Sequence, residues 1–220
     1  MRHKLYRLPL AALALMSAFA APPAWSQAAS AEAGVASIQQ EWALIQYKTE
    51  APAREAKFEA LAARAHTITA QYPQRAEPHI WEGIVLSSWA NARGGLGALG
   101  LAKQAKAEYE TAIGIDPKAL DGSALSSLGV LYYKVPGWPV GFGDNKKAEA
   151  LLKQALAVSP NAIDTNFFYA DYLAYRNDKA TAVTYLQKAL AAPPRPGREV
   201  ADAGRRDDIR KLMAEVKTGN

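Results

Sequence analysis

The stretch NFFYADYLAYRNDKATAVTYLQKALAAPP, Asn166 to Pro194, decides the fold. In its first half, Phe167, Ala170 and Ala174 follow Ile163 at near-helical spacing, so one face of a helix is apolar. Asn177-Asp178 then reads as a turn, with Asp178 placed to cap the next helix. That second helix carries Ala182, Leu186, Ala189 and Leu190 as its stripe. Pro193-Pro194 ends it, because proline lacks the backbone donor and clashes in a helix interior. The stretch is a hairpin of two amphipathic helices.

Working upstream, the same pattern recurs. ALSSLGVLYYK (Ala124–Lys134) and KKAEALLKQALAVSP (Lys146–Pro160) form one further pair, and PHIWEGIVLSSWA (Pro78–Ala90) and AKQAKAEYETAIGIDP (Ala102–Pro117) another. In the second helix of each pair a small residue (Ala105, Ala148, Ala182) is followed four later by a large one (Tyr109, Leu152, Leu186). An alanine comes three after that, and a proline five further on. The first helices contribute Gly83, Gly129 and Ala170. A small side chain lets two helices approach, and a large one fills the groove beside it. A more degenerate first unit runs from Val35 to Gln71, with Phe58, Leu61, Ala65 and Ile68 on its second helix. The closing prolines, Pro73, Pro117, Pro160 and Pro194, are 44, 43 and 34 residues apart.

These residues resemble the tetratricopeptide repeat family, whose period is about 34 residues. The resemblance implies an all-α, tetratricopeptide-like α-solenoid of helix hairpins over residues 27–198. The tail, 199–220, reads as a capping helix with Ala201, Arg205, Ile209, Leu212 and Val216 on one side and GRRDDIRK as a charged exterior. A solenoid implies a scaffold that binds a partner protein, not an enzyme.

The start of the chain has a different character. Arg2, Lys4 and Arg7 precede a 14-residue apolar run, Leu8 to Ala21, and then small residues around Ala24-Trp25-Ser26. This is the pattern of a secretory signal, 1–26, with cleavage expected after Ser26 or Ala28. The run falls short of the roughly 20 residues of a membrane-spanning helix, so a periplasmic protein is expected, with no membrane span after cleavage. The chain's net charge is +5. Three positives lie in that head, so the remainder is nearly neutral and gives no reason to invoke nucleic acid. Without cysteine there is neither a disulfide nor a lipid-attachment thiol, and burial alone must hold the fold.

Repeat proteins carry function on insertions and on the concave face. One insertion, ARGGLGALGLAK (Ala92–Lys103), holds Gly94, Gly95, Gly97 and Gly100. With no preceding strand and no G-x-x-x-x-G-K-[ST] pattern, it reads as a helix continuation and turn, not a nucleotide cradle. The other, KVPGWPVGFGD (Lys134–Asp144), carries Trp138, Val140 and Phe142. It is either a plug folded back on the helices or a sticky surface. Trp81, Trp89, Trp138 and Phe142 are the candidate anchors for a protein partner.

GSALSSLGVLYYKVPGWPVGFGDNKKAEALLKQAL (Gly122–Leu156) with FYADYLA (Phe168–Ala174) also resembles the T component of TRAP-type transporter systems. That resemblance implies a periplasmic accessory to a substrate-binding protein for hydrophobic or organic-acid cargo, able to form rings of subunits. On this alternative, Leu96, Leu99, Trp138 and Phe142 line a cavity for a small apolar ligand. No catalytic, cofactor or metal site is expected. His66 and His79 are isolated and read as surface or capping residues, no G-x-S-x-G elbow is present, and carboxylate pairs such as Glu108 and Glu110 do not face each other on a helix.

Overall fold

The computed structural model describes residues 24–218. Among these residues the chain forms nine α-helices and no strand; one isolated bridge joins Gly137 and Gly143. Most of the candidate export signal lies outside the described residues. Helix α1 (Ala24–Lys48) runs through both candidate cleavage points.

Four hairpins succeed one another. α1 pairs with α2 (Ala51–Gln71), α3 (Ala76–Arg93) with α4 (Gly95–Ile115), α5 (Ala119–Lys134) with α6 (Asn145–Val158), and α7 (Ile163–Tyr175) with α8 (Lys179–Ala191). Local chemistry sets the boundaries. Pro52 sits in the first turn of α2, where its missing N–H costs nothing. The Asp144 carboxylate accepts from the N–H groups of Lys146 and Lys147 at 2.9 and 3.1 Å, and Asp178 caps α8 through Thr181 N–H at 3.2 Å. The glycine-rich insertion is a break between α3 and α4. Gly94 takes φ +63°, a left-handed conformation open to glycine, and the helix resumes at once. Leu101 in this segment is buried.

The repeated small–large pattern is the packing device of each hairpin. A Cβ on Gly83 would stand 2.5 Å from the Tyr109 ring, and one on Gly129 would stand 2.8 Å from Leu152 Cγ. Ala170, Ala182 and Leu186 are wholly buried at the matching place in the last hairpin. In the first hairpin Gly34 abuts Ile68, so close approach is kept there with different residues. Burying each of these large side chains stabilises the fold by roughly 1.5–3 kcal/mol. Stacking then merges the hairpins into a core running from Val35 in α1 to Ala201, with a second cluster at the far end around Ile163, Leu186 and Ile209.

The odd-numbered helices are neighbours: α1 packs on α3, α3 on α5 and α5 on α7. The ninth helix, α9 (Glu199–Thr218), does more than cap the last hairpin. It packs on α8 and α7 and also reaches α1, so the last helix of the superhelix meets the first. Of the charged GRRDDIRK residues, Arg205 is the one that the stripe expectation places on the packed side, and it lies there. Arg205 lies in the apolar stripe between Ala201 and Ile209, and its guanidinium stacks on Phe167 and Phe168 at 4.5 and 4.8 Å.

His79, expected at the surface or as a cap, is buried. Its Nε2–H donates to the Pro73 carbonyl at 3.0 Å, and Glu108 Oε2 lies 2.6 Å from its Nδ1. It ties the turn before α3 to α4. His66 is largely exposed and pairs with the buried Glu82 at 2.9 Å.

Candidate binding cavity

Closure of α9 onto α1 leaves a cavity of about 370 Å³ on the inner side of the superhelix. Its wall is built from α1, α3, α5, α7 and α9, together with the Arg195–Arg198 segment that leads into α9 and Tyr109 from α4. The small-residue crossings face the outer helices, so the inner helices are free to turn polar side chains toward the hollow. Ser87 and Ser88 from α3 and Ser123, Ser126 and Ser127 from α5 do so. Trp42, Trp81, Ile84, Val130 and Phe168 supply the apolar part.

The two tryptophans meet edge to face, with centroids 5.8 Å apart, and Trp42 Nε1 donates to Ser88 Oγ at 2.8 Å. The α5 end of the wall is strained. Leu120, Asp121 and Gly122 all have positive φ, +48°, +60° and +70°, before the regular helix begins. Such conformations cost on the order of 1–3 kcal/mol for a non-glycine residue. The Ser123 hydroxyl holds the turn by donating to Leu120 O at 2.5 Å, and Ser159 Oγ donates to Asp121 at 3.1 Å.

An ion network seals the α7–α9 side. Asp164, in the first turn of α7, accepts from Arg195 Nη1 at 2.7 Å and from Arg205 Nε at 2.8 Å. Arg195 also binds Asp202 through Nε and Nη2 at 2.8 and 2.6 Å, while Arg205 Nη1 donates to Asp208 at 3.2 Å. Tyr47 of α1 donates its hydroxyl to the same Asp208 oxygen at 3.1 Å. Burial pushes the Asp164 carboxyl up, but Arg205 and Arg195 outweigh it and hold the group down at about 2. Burial likewise raises the Tyr47 phenol, with Arg205 opposing.

Arg198 stands apart. Its guanidinium lies 5.1 Å over the Trp81 ring, and its Nε is buried without a hydrogen-bond partner. Among the described residues no carboxylate forms an ion pair with it. Burial, and then the neighbouring Arg195 charge, push its pKa down, against the attraction of Asp164 and Asp202.

The residues singled out in the sequence are dispersed. Trp81 is in the cavity wall and buried. Trp89 is half-buried on α3, with Arg93 at 6.0 Å from its ring. Leu99 is half-buried on α4, and the Leu96 side chain lies outside the described part of the structure. The aromatic insertion divides into two parts. Phe142 turns inward and packs edge-on against Tyr132, centroids 5.8 Å apart, whereas Trp138 is 89% exposed and Val140 62%. So Leu99, Trp138 and Phe142 stand outside the central cavity. Trp42, Tyr47, Asp164 and Arg198 are the wall residues that sequence reasoning missed. The one available signal was an arginine, Arg205, inside an apolar stripe, because a buried guanidinium requires a buried acid.

The loop that carries Trp138 is tied down. Gly143 N–H donates to Pro136 O at 2.9 Å, and Asp144 N–H to Tyr132 O at 2.8 Å. A side chain at Gly143 would collide with the Val135 carbonyl at 2.0 Å.

Among the described residues no three His, Cys, Asp or Glu side chains are grouped to hold a metal ion, and no helix is long and apolar enough to cross a membrane. The architecture is a tetratricopeptide-like all-α solenoid. It is similar to a solved thermophilic tetratricopeptide-repeat protein of Thermus thermophilus, with a TM-score of 0.55 at 17% identity, covering 84% of this chain and 98% of that one. That likeness is one of fold. No protein-family model matches the chain, and no curated protein does.

Proposed function

We propose that this chain is an exported helical-repeat scaffold that acts in the periplasm by holding a partner protein, with Trp138 and Val140 as the contact that seats the partner. The observation behind this reading is the exposure of Trp138 at 89% on a loop whose backbone is fixed on both sides. A large aromatic on a fixed backbone leaves only its side chain to order on binding and gains much burial, which is why such residues dominate interface energetics. The repeat fold supports the same role.

Capture from a periplasmic extract tests it. Wild-type chain should retain a stoichiometric partner, and the Trp138→Ala, Val140→Ala double variant should lose it while melting at the same temperature. Equal capture by both would remove the loop from the interface. Export is tested separately, since the periplasmic protein should begin at Gln27 or Ala29 on N-terminal sequencing.

The transport-accessory alternative has no comparable support. The cavity that the structure forms is not the one it called for, because Leu99, Trp138 and Phe142 do not line it.

A further inference from the structure

The exposed loop residues continue into a larger patch. Tyr175, the last residue of α7, is also exposed, and its ring lies 5.4 Å from that of Tyr133, on which Lys134 Nζ rests at 4.9 Å. Lys134 begins the insertion that carries Trp138 and Val140, so two neighbouring hairpins present apolar side chains at one edge. Cations border this patch. Lys134 is paired with Asp171 at 3.0 Å, and Lys106, 6.0 Å from the Phe142 ring, with Glu110 at 2.6 Å. Glu149 serves both Lys153 and Arg176. Lys146 and Lys147 are exposed, and among the described residues no carboxylate forms an ion pair with either. Asp144, the cap of α6, is the nearby acid, and its carboxylate is turned to their backbone N–H groups. Lys147 Nζ lies 5.4 Å from the Tyr132 ring, which packs on Phe142. Both lysines stand in the first turn of α6, which holds no acid. Helix amides make that end positive, so stability alone disfavours cations there.

We infer that the partner seated by Trp138 is an acidic protein surface: an apolar pocket that Trp138 and Val140 fill, bordered by carboxylates that meet Lys146 and Lys147. This rests on the reading of the loop as the partner's seat and adds the chemistry of what is seated there. Charges around an apolar centre steer encounter and fix register, and two unpaired lysines flanking an exposed tryptophan supply that border. Tyr175 extends the contact to the next hairpin, since it is exposed and joined to the loop's base through Tyr133. An anionic lipid surface would meet the same residues, but recognition of that kind takes a cluster of roughly four to eight cations. Here Lys106, Lys134 and Lys153 already have acids, which leaves Lys146 and Lys147.

The test takes the partner captured by the wild-type chain, identified by mass spectrometry and purified. Surface plasmon resonance follows its association with the full chain freed of its leader. The Lys146→Glu, Lys147→Glu variant should associate about tenfold or more slowly, with dissociation little changed. Its melting temperature should be no lower than wild type, because acids suit the first turn of a helix. The Lys146→Arg, Lys147→Arg variant should associate as wild type does. Wild-type affinity should fall about tenfold between about 0.05 and about 0.3 M NaCl. Tyr175→Ala should speed dissociation. The inference is overturned if the charge-reversed variant associates at the wild-type rate, or if salt leaves the affinity unchanged. It is also overturned if vesicles of phosphatidylglycerol, but not of phosphatidylcholine, retain the wild-type chain and release the Trp138→Ala, Val140→Ala variant, since the occupant is then a lipid surface. If no partner is captured, or if the Trp138→Ala, Val140→Ala variant keeps it, the seat and this inference fall together. If that variant loses the partner and the charge-reversed one binds normally, this inference falls alone.

Discussion

The ring of Tyr47 lies directly on the bare backbone of Gly204: a Cβ at Gly204 would come within 2.2 Å of the ring's Cδ1. Tyr47 ends the first helix and Gly204 is in the last, 157 residues apart by their numbering. The contact joins the two ends of the superhelix, and the Tyr47 hydroxyl on Asp208 locks its angle. Without it, the inner helices would line an open groove. With it, they line a cavity that remains partly open to solvent.

Gly204→Val should therefore push α9 from α1. Overpacking of this kind costs about 1–3 kcal/mol, seen as a lower midpoint in urea unfolding. A Tyr47→Ala, Gly204→Val pair should recover part of the loss, because the intruding methyls then have room. An undiminished midpoint for the single variant would place α9 elsewhere.

Gly129→Leu acts on the repeat itself. The added side chain would meet Leu152 Cγ at 2.8 Å and the Ala148 carbonyl at 3.3 Å from its first carbon alone. The variant is expected to lose about 1–3 kcal/mol or more, read as a fall in thermal midpoint. A midpoint equal to wild type would contradict the crossing.

How far these features could be read from sequence depended on whether they are local. Gly83 with Tyr109 and Gly129 with Leu152 were legible because each hairpin imposes the same offsets, so three copies reveal one rule. The caps at Asp144 and Asp178 were legible because a cap is a contact over two or three residues. The meeting of Tyr47 with Gly204 was not. It depends on the accumulated rotation of four hairpins, which no local pattern records. Arg198 was missed for the same reason: its position over Trp81 is set by superhelical closure. The two halves of the aromatic insertion could not be separated by composition. Phe142 and Trp138 differ only in which side of the loop they leave.

That separation has a measurable consequence. Trp138→Ala should change stability by no more than about 0.5 kcal/mol, as for an exposed position, whereas Phe142→Ala removes a ring packed on Tyr132 and should cost about 1 kcal/mol or more. Chemical unfolding of both variants reads the difference. Equal costs would mean that the loop is packed, or free, throughout.

Asp164 predicts an acid-sensitive fold. Its folded carboxyl, held at about 2, lies below its ordinary value of 3.8. A depressed carboxylate contributes stability that is complete above its unfolded value and is lost as pH falls from about 4 to about 2. The loss is on the order of 2 kcal/mol. At neutral pH Asp164→Asn should cost about 3 kcal/mol or more, because it strips Arg195 and Arg205 of their shared acid. Its unfolding free energy should also fall less between pH 5 and pH 2 than that of wild type. Parallel pH profiles would show that the pair carries no such charge coupling.

The first and last helices meet across the inner side of the solenoid, and one cross-link reads that meeting. The virtual Cβ of Gly204 lies 2.3 Å from Tyr47 Cγ, so the two Cβ atoms are at most about 3.8 Å apart, within the span of a disulfide. The natural chain has no cysteine to interfere. A Tyr47→Cys, Gly204→Cys variant, oxidised under native conditions, should form an intramolecular disulfide in nearly every monomer, with no thiol left to label. Two free thiols after oxidation in the folded monomer would mean that the ends do not meet.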